Sequence, residues 1–520
     1  MTHGLSKSRL MDWRQCPRKL WLRTYRPELA ADSTDTETRF RIGFEVGEKA
    51  RELFPDGLLI DPPDLTEALR QTRQALAADP NRVLFEATFV RDGVLVRVDV
   101  LSPEADGYRL IEVKASTQVK DHQLTDAAIQ TWVVQDSLAL AGTTLAHVDT
   151  QFVYPGTGDY RGLLRLVPVE ADIAARMTEI PDWIVQARAT LSAEEPLIEP
   201  GDHCHDPYAC AFQGHCAPVQ AGTAYPLNRL PHLRGWRLQG LEDRGITEIA
   251  DIPEDYPLTE RQRRIADSVR TGQVFRDPEA ARVLGRLGWP RYYMDFETTA
   301  GAVPLWAGTR PYQQLPVQWS CHVQWRPGST GSLRYLFAGQ AEPPRAFAET
   351  LIQAVCQPID PARIRYPLDC AGTTSITWEL FPKGAATGPI LVYHAGFERR
   401  ILRELAEALP DLALELDAIG ARIVDLLPIV RADYYHPDQQ GSWSLKAVLP
   451  TMAPDLRYDS LAIGNGGEAS DAWREILHPE TPEPRREERR QALADYCLLD
   501  TWAMIVIEGY LQRLASIDGG

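Results

Sequence analysis

The chain has 520 residues, of which 44% are hydrophobic and 24% charged, with a formal net charge of −17 at pH 7. This composition is that of a globular protein with about three domains of roughly 150 residues, and the acidic balance argues against a uniformly basic, histone-like binder. No apolar run approaches the ~18 residues of a membrane span and no apolar signal segment opens the sequence, so we expect a cytoplasmic protein that makes no membrane contact.

The first predicted domain, residues 1–217, changes from helical to strand patterns along the chain. Hydrophobic spacing near 3.6 predicts helices over 6–25, 43–54 and 125–141. Alternating β-branched and polar residues predict strands over 83–90, 94–101, 109–113 and 148–153. Asp92-Gly93 supplies a hairpin turn between two of these strands, because both positions tolerate positive φ.

Two further domains are predicted after residue 217. Residues 218–290 read as a connector of short helices with Gly and Pro breaks. The pattern resembles helix-hairpin-helix modules that grip nucleic-acid backbone, although a plain spacer explains it more simply. In 291–517, strands over 292–297, 317–324 and 390–393 alternate with helices over 397–408 and 487–514. The fold class is therefore predicted to be α/β multidomain.

Acidic and basic residues interrupt two neighbouring predicted strands of the first domain. Asp99 lies on one strand, and Glu112 and Lys114 lie two residues apart on the next, so that both point to the same face. A Mg²⁺ or Mn²⁺ ion between Asp99 and Glu112 would offset the cost of placing carboxylates in apolar strands. Lys114 could then orient an attacking water. The same pattern also fits an amphipathic hairpin with an exposed salt bridge.

Gln130, on the helix predicted over 125–141, completes a recognisable set. With the preceding residues it resembles the PD-(D/E)xK nucleases of the RecB type, which include CRISPR-associated exonucleases. The resemblance implies a restriction-endonuclease-like fold, metal ligands at Asp99 and Glu112, and catalytic roles for Lys114 and Gln130. Val134 departs from the family pattern, because an aromatic residue usually occupies this place. The family's early histidine is also not found in 41–51.

Eight cysteines in a cytoplasmic protein are expected to be metal ligands, catalytic groups or core residues rather than disulfides. One early and three late cysteines resemble RecB-type enzymes that carry an iron–sulfur cluster. The resemblance implies that a [4Fe–4S] cluster is held by Cys16, Cys204, Cys210 and Cys216. Unligated thiols are one alternative, and structural zinc is another, with substitute ligands among His203, His205 and His215. The other cysteines are interpreted as core residues: Cys321, Cys356, Cys370 and Cys497.

A second acidic set lies in the last predicted domain. Asp295 and Glu297 stand two residues apart on a predicted strand, and Tyr496 and Asp500 stand four apart on the terminal helix. In this order they resemble the DEDDy-type 3′–5′ exonucleases of RNase H-like fold. The resemblance implies that Asp295, Glu297 and Asp500 bind two metal ions while the Tyr496 hydroxyl orients water.

The middle acidic motif of that family has two candidates here. Glu398 occupies the position where the family usually has Asp, and Asp425 follows on another strand. The sequence does not choose between these two metal ligands. Lys446 nearby is interpreted as a surface helix residue rather than a phosphate contact.

The fusion of these two units resembles a bacterial family of uncharacterised nucleases. It implies nucleic-acid processing in repair or defence, which we interpret as a metal-dependent exonuclease with two sites. We expect DNA as the substrate more than RNA, although no short motif in the sequence separates the two. A helicase, if one is needed, would come from a separate chain, because the sequence shows no helicase motif. The alternatives are a nucleic-acid binding or assembly protein with one or both sites inactive, and a general metal-dependent phosphatase.

Overall fold

The computed structural model describes residues 4–31, 34–216, 224–337, 339, 343–356 and 388–517. The chain divides into two compact units, one of Met1–Ala221 with Ala300–Gln313 and one of Gly222–Thr299 with Gln314–Gly520. Each unit packs helices against a sheet that mixes parallel and antiparallel strands, which confirms the α/β multidomain class. The predicted connector 218–290 is not a compact unit by itself but belongs mostly to the second unit.

The first unit is a seven-stranded sheet with helices, as far as the chain is described. Its strands are β1 (Leu5–Ser6), β2 (Leu58–Leu59), β3 (Leu84–Arg91), β4 (Val94–Glu104), β5 (Gly107–Lys114), β6 (Leu140–Val148) and β7 (Leu164–Pro168). Its helices are α1 (Lys7–Gln15), α2 (Pro17–Tyr25), α3 (Thr34–Glu52), α4 (Leu65–Ala78), α5 (Asp121–Val134), α6 (Glu170–Ser192) and α7 (Gln213–Cys216). The strand order is β2-β3-β4-β5-β6-β7, and β1 pairs with β4.

Three sequence predictions for this unit were wrong in their boundaries. The helix expected over 6–25 is two helices, because Cys16 is extended (φ −162°, ψ 121°) and Pro17 starts a new first turn. The helix expected over 125–141 ends at Val134, and the strand expected over 148–153 is instead β6, ending at Val148. Strand β6 is almost wholly buried, so it lacks the alternation that identifies a half-exposed strand.

The acidic residues of the first unit lie where two strands are locally distorted. Strand β4 packs Val98 and Leu101 into the main core, whereas Val100 belongs to a separate cluster with Phe85. The β3–β4 pairing is interrupted between these positions, and Glu86 on β3 has a positive φ of 56°. The face of the sheet to which alternate residues of β4 point therefore changes at Asp99. Irregularities of this type are common beside active sites.

The second unit contains two sheets within its described residues. The helices are α8 (Trp236–Glu242), α9 (Glu260–Thr271), α10 (Glu279–Gly285), α11 (Pro343–Val355), α12 (Gly396–Ala408), α13 (Ala413–Ala421), α14 (Leu426–Asp433), α15 (Leu445–Met452), α16 (Gly466–Leu477) and α17 (Glu483–Ile517). The strands are β8 (Phe275–Arg276), β9 (Arg291–Thr299), β10 (Leu315–Arg326), β11 (Ser329–Leu336), β12 (Ile390–Val392), β13 (Ile423–Asp425) and β14 (Tyr434–Tyr435).

Strand β9 is the centre of the larger sheet, whose order is β11-β10-β9-β12-β13. Strands β9, β10 and β11 pair antiparallel, and β12 pairs parallel with both β9 and β13. Helix α17 lies against β9, and a buried ion pair between Arg291 and Glu508 joins the two elements. The Tyr293 hydroxyl also donates to Glu508. These contacts fix the long helix against the strand that carries Asp295 and Glu297.

Residues of the predicted connector share the core of the second unit. Leu230, Leu241 and Ile265 pack in one cluster with Tyr293 of β9 and Met504 of α17. This segment therefore packs into the hydrophobic core of the second unit and does not form a separate linker. Among the described residues, no helix is long and apolar enough to cross a membrane.

Candidate active sites

The first candidate site lies on β4 and β5, which carry Asp99 and Glu112. Strand pairing reaches Val100 opposite Ile111, so Asp99 and Glu112 occupy the next positions of the two strands. The Asp99 Oδ2 atom accepts a hydrogen bond from the Val113 amide (2.7 Å). Burial and the charge of Glu112 raise the pKa of Asp99 well above its usual value. The charge of Glu112 therefore lies close enough to disfavour the charged form of Asp99.

Two lysines hold this acidic cluster together. Lys114 Nζ lies 2.6 Å from Glu112 and 2.6 Å from Asp126, which confirms that Glu112 and Lys114 share one face. Lys7 Nζ contacts the same two carboxylates at 3.0 Å and 2.9 Å. Burial opposes the charge of Lys7, but Asp126 and Glu112 outweigh it and raise its pKa. We call Lys7, Glu112, Lys114 and Asp126 the lysine–carboxylate cluster.

Gln130 joins the lysine–carboxylate cluster through Asp126, to whose Oδ1 its Nε2 donates (3.3 Å). Two oxygens of this network are buried without a hydrogen-bond partner among the described residues: Glu112 Oε2 and Gln130 Oε1. Buried oxygens without donors are costly, and oxygens are the ligands that Mg²⁺ prefers. The donor set at this site therefore fits a hard divalent cation.

Sequence reasoning missed Asp126 at this site and, although Lys7 stands in a basic stretch of residues 1–30 that could contact phosphate beside an active site, did not single it out as a partner of Glu112. Asp126 precedes Gln130 by four residues on α5, so its helical spacing was a usable signal. Lys7 had no comparable signal, because it is separated from Glu112 by more than a hundred residues and comes to the site through the packing of α1. This placement depends on tertiary structure alone.

The four predicted cluster cysteines converge on one cavity. The cavity is lined by Cys16, Cys204, Cys210 and Cys216, together with Arg18 and Lys19. All four thiols are free, and burial raises the pKa of Cys210 and Cys216, with smaller contributions from the neighbouring thiols. Cys16 lies at the break between α1 and α2, so the interruption of the predicted helix is what presents this thiol.

The spacing of these thiols bears on which group they would hold. Sulfurs bound to one tetrahedral zinc at 2.3 Å lie about 3.8 Å apart. Among the described residues, only Asp295, Glu297 and Cys497 form a trio of such ligand atoms within 4.8 Å of one another. The thiols are thus spread more widely than a zinc tetrahedron requires. Of the substitute zinc ligands, His215 lies against Glu195 (3.4 Å) and His205 against Gln213 (3.3 Å).

The second site is centred on β9. The ligand atoms of Asp295, Glu297 and Cys497 all lie within 4.8 Å of one another, so the two carboxylates share one face as predicted. The Cys497 thiol donates to Asp295 Oδ2 at 3.9 Å. The sequence analysis interpreted Cys497 only as a core residue. Cys497 is fully buried, but its thiol also lines the acidic site. The signal was its position between Tyr496 and Asp500.

Asp500 and Glu398 extend this site from two helices. Asp500 lies on α17 and is 7% exposed, and Glu398 lies on α12 and is 3% exposed. Burial, followed by the charges of Asp500, Glu297 and Glu398, raises the pKa of Asp295 well above its usual range. The Glu398 Oε2 atom is buried without a partner among the described residues.

The pKa values of these carboxylates reflect their burial and the short distances between their negative charges. Burial and Asp500 raise the pKa of Glu297 to about 8. Burial raises the pKa of Glu398 to about 8 and that of Asp500 to about 6. Such a group of buried acids is stabilised by a cation, and four carboxylates are the donor set that suits Mg²⁺ or Mn²⁺.

Asp425 has a different environment from Glu398. Its Oδ1 atom accepts from the amides of His394 (3.0 Å) and Leu427 (3.0 Å), and its Oδ2 atom accepts from Ala395 (2.9 Å). It is therefore the N-cap of α14 and also anchors the turn before α12. Both oxygens are committed to backbone donors, which favours Glu398 as the fourth acidic ligand.

Tyrosines and a lysine form the polar wall of the second site. Tyr496 and Asp500 share one face of α17, and burial and Asp500 raise the pKa of Tyr496. The Tyr458 hydroxyl donates to Asp500 Oδ1 at 2.5 Å. Lys446 Nζ lies 3.5 Å from the Tyr496 hydroxyl and 5.3 Å from the Tyr458 ring centre. The interpretation of Lys446 as a surface residue was therefore wrong, because α15 turns it towards the acids.

The remaining predicted core cysteines have mixed positions. Cys321 is fully buried on β10, which confirms its prediction, and Cys356 is half-buried at the end of α11. Cys370 lies outside the described residues.

Comparison with known proteins finds a family model that matches part of the chain and carries no activity. Residues 292–444 match the model of a family described as a domain of unknown function (DUF2779). This segment includes Asp295, Glu297 and Glu398, and it ends before Tyr496 and Asp500. No curated protein matches the chain.

Proposed function

We propose that this protein is a metal-dependent nuclease that hydrolyses phosphodiester bonds of DNA at two separate sites. The observation that carries the proposal is the cluster of Asp295, Glu297, Glu398 and Asp500, four buried or half-buried carboxylates with raised pKa values. Without a cation such a cluster is destabilising, so its presence is best explained by metal binding. Phosphoryl displacement is the chemistry that oxygen-bound divalent ions serve.

At the second site, these four carboxylates would hold Mg²⁺ or Mn²⁺. The ions would supply charge stabilisation for the phosphate and a lowered pKa for a bound water. The Tyr496 hydroxyl, held beside Asp500, is placed to orient that water. Lys446 brings positive charge beside the acids and lies 3.5 Å from the Tyr496 hydroxyl oxygen.

At the first site, Asp99 and Glu112 would hold the ion, and Gln130 offers a further unpartnered oxygen. Lys114 bridges Glu112 and Asp126 and so has a fixed position from which to orient water. The resemblance to RecB-type nucleases supports these roles for Asp99, Glu112, Lys114 and Gln130. Asp126 acts as a positioning residue, since it holds Lys114 and Gln130 together.

For the cysteine cavity, we propose a [4Fe–4S] cluster bound by Cys16, Cys204, Cys210 and Cys216. Four free thiols around one cavity, spread more widely than zinc requires, support it. Such a cluster would join the α1–α2 break to the 204–216 segment, which lie far apart in sequence. Because α1 also carries Lys7, the cluster would stabilise the helix that reaches the first site.

A second candidate function is a nucleic-acid binding or assembly protein whose first site is inactive. One observation favours it: Lys7 and Lys114 already neutralise Glu112 and Asp126, as they would in a site that no longer takes up metal. The second site has no comparable pair of lysines among the described residues. The observation therefore bears on the first site and not on the second.

The test is hydrolysis of end-labelled single- and double-stranded DNA and RNA with Mg²⁺ or Mn²⁺, using anaerobically purified protein. Lys114→Ala should remove one activity and Asp295→Asn the other. Matched controls are Lys120→Ala and Asp417→Asn, which change exposed residues outside both sites. If the wild-type protein cuts no polynucleotide with either metal, the nuclease proposal fails and the binding protein becomes the better description.

A further inference from the structure

A cleft in the segment between residues 224 and 290 is used by neither acidic site. It has a volume of about 690 Å³ and lies between the turn before α8 and the start of α9. The charged or titratable side chains that line it are His232, Arg234, Arg237, Glu260 and Arg261. The lining is thus dominated by positive charge, in a chain whose formal net charge is −17.

The arginines of this cleft are available to a ligand. Its single carboxylate, Glu260, lies 3.4 Å from Arg264, which is outside the lining. None of Arg234, Arg237 and Arg261 forms an ion pair within the part of the chain that the structure describes. Arg237 Nε is also buried without a hydrogen-bond partner among those residues. A buried guanidinium nitrogen without an acceptor is costly, so Arg237 has spare hydrogen-bonding capacity beside the cleft.

An exposed aromatic residue lies in the same cleft. Trp236 is 66% exposed, and the Arg237 guanidinium carbon lies 5.3 Å from its ring centre. A large indole left in water beside arginines has no role in the hydrophobic core. Aromatic side chains of this kind stack on nucleobases when they line a positively charged groove.

The backbone that carries these side chains is held in place. The Tyr256 hydroxyl, on a side chain that is 5% exposed, donates to the carbonyl oxygen of Arg237 at 2.6 Å. Gln262 closes a capping box with Thr259 and also donates to the carbonyl oxygen of Pro231 at 2.9 Å. The two walls of the cleft are therefore tied together, and the binding groups are arranged before a ligand arrives.

We propose that this cleft binds single-stranded nucleic acid, with the arginines on backbone phosphates and Trp236 stacked on a base. The proposal goes beyond the two hydrolytic sites, and it rests on the proposed function only for the choice of a polynucleotide as the ligand. Inorganic phosphate presents the same anionic groups without bases, so the test must separate the two sources.

The experiment measures binding of a fluorescent oligothymidylate of about 12 nucleotides to the full chain by anisotropy. EDTA in the buffer prevents hydrolysis. The variants are Trp236→Ala and the triple change Arg234→Ala, Arg237→Ala and Arg261→Ala. Arg286→Ala is the matched control, because Arg286 is exposed in the same unit and lies outside the cleft. Thermal unfolding of each variant verifies that the fold is kept.

Trp236→Ala should weaken binding about 5- to 150-fold, the range for loss of one stacked base. The triple variant should reduce the dependence of log Kobs on log salt by about 0.7 for each lost phosphate contact. Arg286→Ala should leave both quantities at the wild-type values. Equal binding by wild type and both cleft variants would overturn the proposal, and so would displacement by inorganic phosphate at an equal concentration of phosphate groups.

The outcomes separate this proposal from the nuclease proposal. Binding that depends on the cleft, without any hydrolysis when metal is restored, would leave the cleft assignment intact and refute the nuclease function. Hydrolysis in the presence of metal, together with an oligonucleotide affinity that the cleft substitutions do not change, would refute only the cleft assignment.

Discussion

Substitution of Asp425 and Glu398 tests the assignment of the fourth acidic ligand. Asp425 accepts three backbone hydrogen bonds, from His394 (3.0 Å), Ala395 (2.9 Å) and Leu427 (3.0 Å). Asparagine at this position keeps one acceptor oxygen but loses the negative charge and the other acceptor. A hydrogen bond to a charged group contributes about 1.5–3 kcal/mol, so Asp425→Asn should lower the free energy of unfolding by about 2–4 kcal/mol.

Glu398→Gln should have the opposite effect on stability when no metal is present. Burial raises the pKa of Glu398 from 4.5 to about 8, so the folded protein favours the neutral carboxyl. That preference costs stability as the pH rises from 4.5 towards 8, because the unfolded chain releases the proton first. Each pH unit in this window corresponds to about 1.4 kcal/mol. In EDTA at pH 8, Glu398→Gln should therefore raise the free energy of unfolding by on the order of 4–5 kcal/mol.

The assays are urea denaturation in EDTA and calorimetric titration with Mn²⁺. Asp425→Asn should be less stable and keep its Mn²⁺ affinity, whereas Glu398→Gln should be more stable and lose at least tenfold in affinity. Asp417→Asn, an exposed change on α13, is the control for removal of one acidic charge. The reasoning is refuted if Asp425→Asn loses Mn²⁺ affinity as strongly as Glu398→Gln while its stability is unchanged.

Three further predictions concern other parts of the molecule. Lys7→Met should lower the free energy of unfolding by about 3 kcal/mol in EDTA and by less in Mn²⁺, because the ion would replace the lost ammonium beside Glu112; equal losses in both buffers would contradict metal binding there. Cys16→Ser should abolish bound iron and sulfide in anaerobic preparations, while Cys321→Ser should keep both; zinc without iron in the wild type would refute the cluster. Burial lowers the pKa of His322 to about 4, so stability should fall as the pH drops from 6.5 towards 4, and His322→Gln should reduce that fall by about 3 kcal/mol in denaturation at each pH.

Local patterns in the sequence were sufficient for much of the fold. The hairpin at Asp92-Gly93 forms as predicted, with φ of 46° and 67° at the two turn residues. Strands β4, β5, β9 and β10 lie close to where the sequence placed them, and β4 alternates between buried and partly exposed residues from Val94 to Val100. Strand β6 was missed for the reverse reason: it is buried on both faces, so its composition does not distinguish it from a buried helix.

Spacing along single elements determined which functional side chains lie side by side. A spacing of two residues on a strand brings Glu112 beside Lys114 and Asp295 beside Glu297. A spacing of four residues on a helix brings Tyr496 beside Asp500. These relations follow from backbone geometry and need no knowledge of the rest of the chain. The sequence could therefore identify the centre of each site.

Only the tertiary structure decided which other groups surround those centres. Lys7 reaches Glu112 through the packing of α1, and Lys446 reaches Tyr496 through the packing of α15. Asp425 accepts hydrogen bonds from backbone amides before two different helices, and this environment arises only in the folded chain. Such contacts join residues tens to hundreds of positions apart, and no local pattern encodes them, because they arise from how whole elements pack against one another.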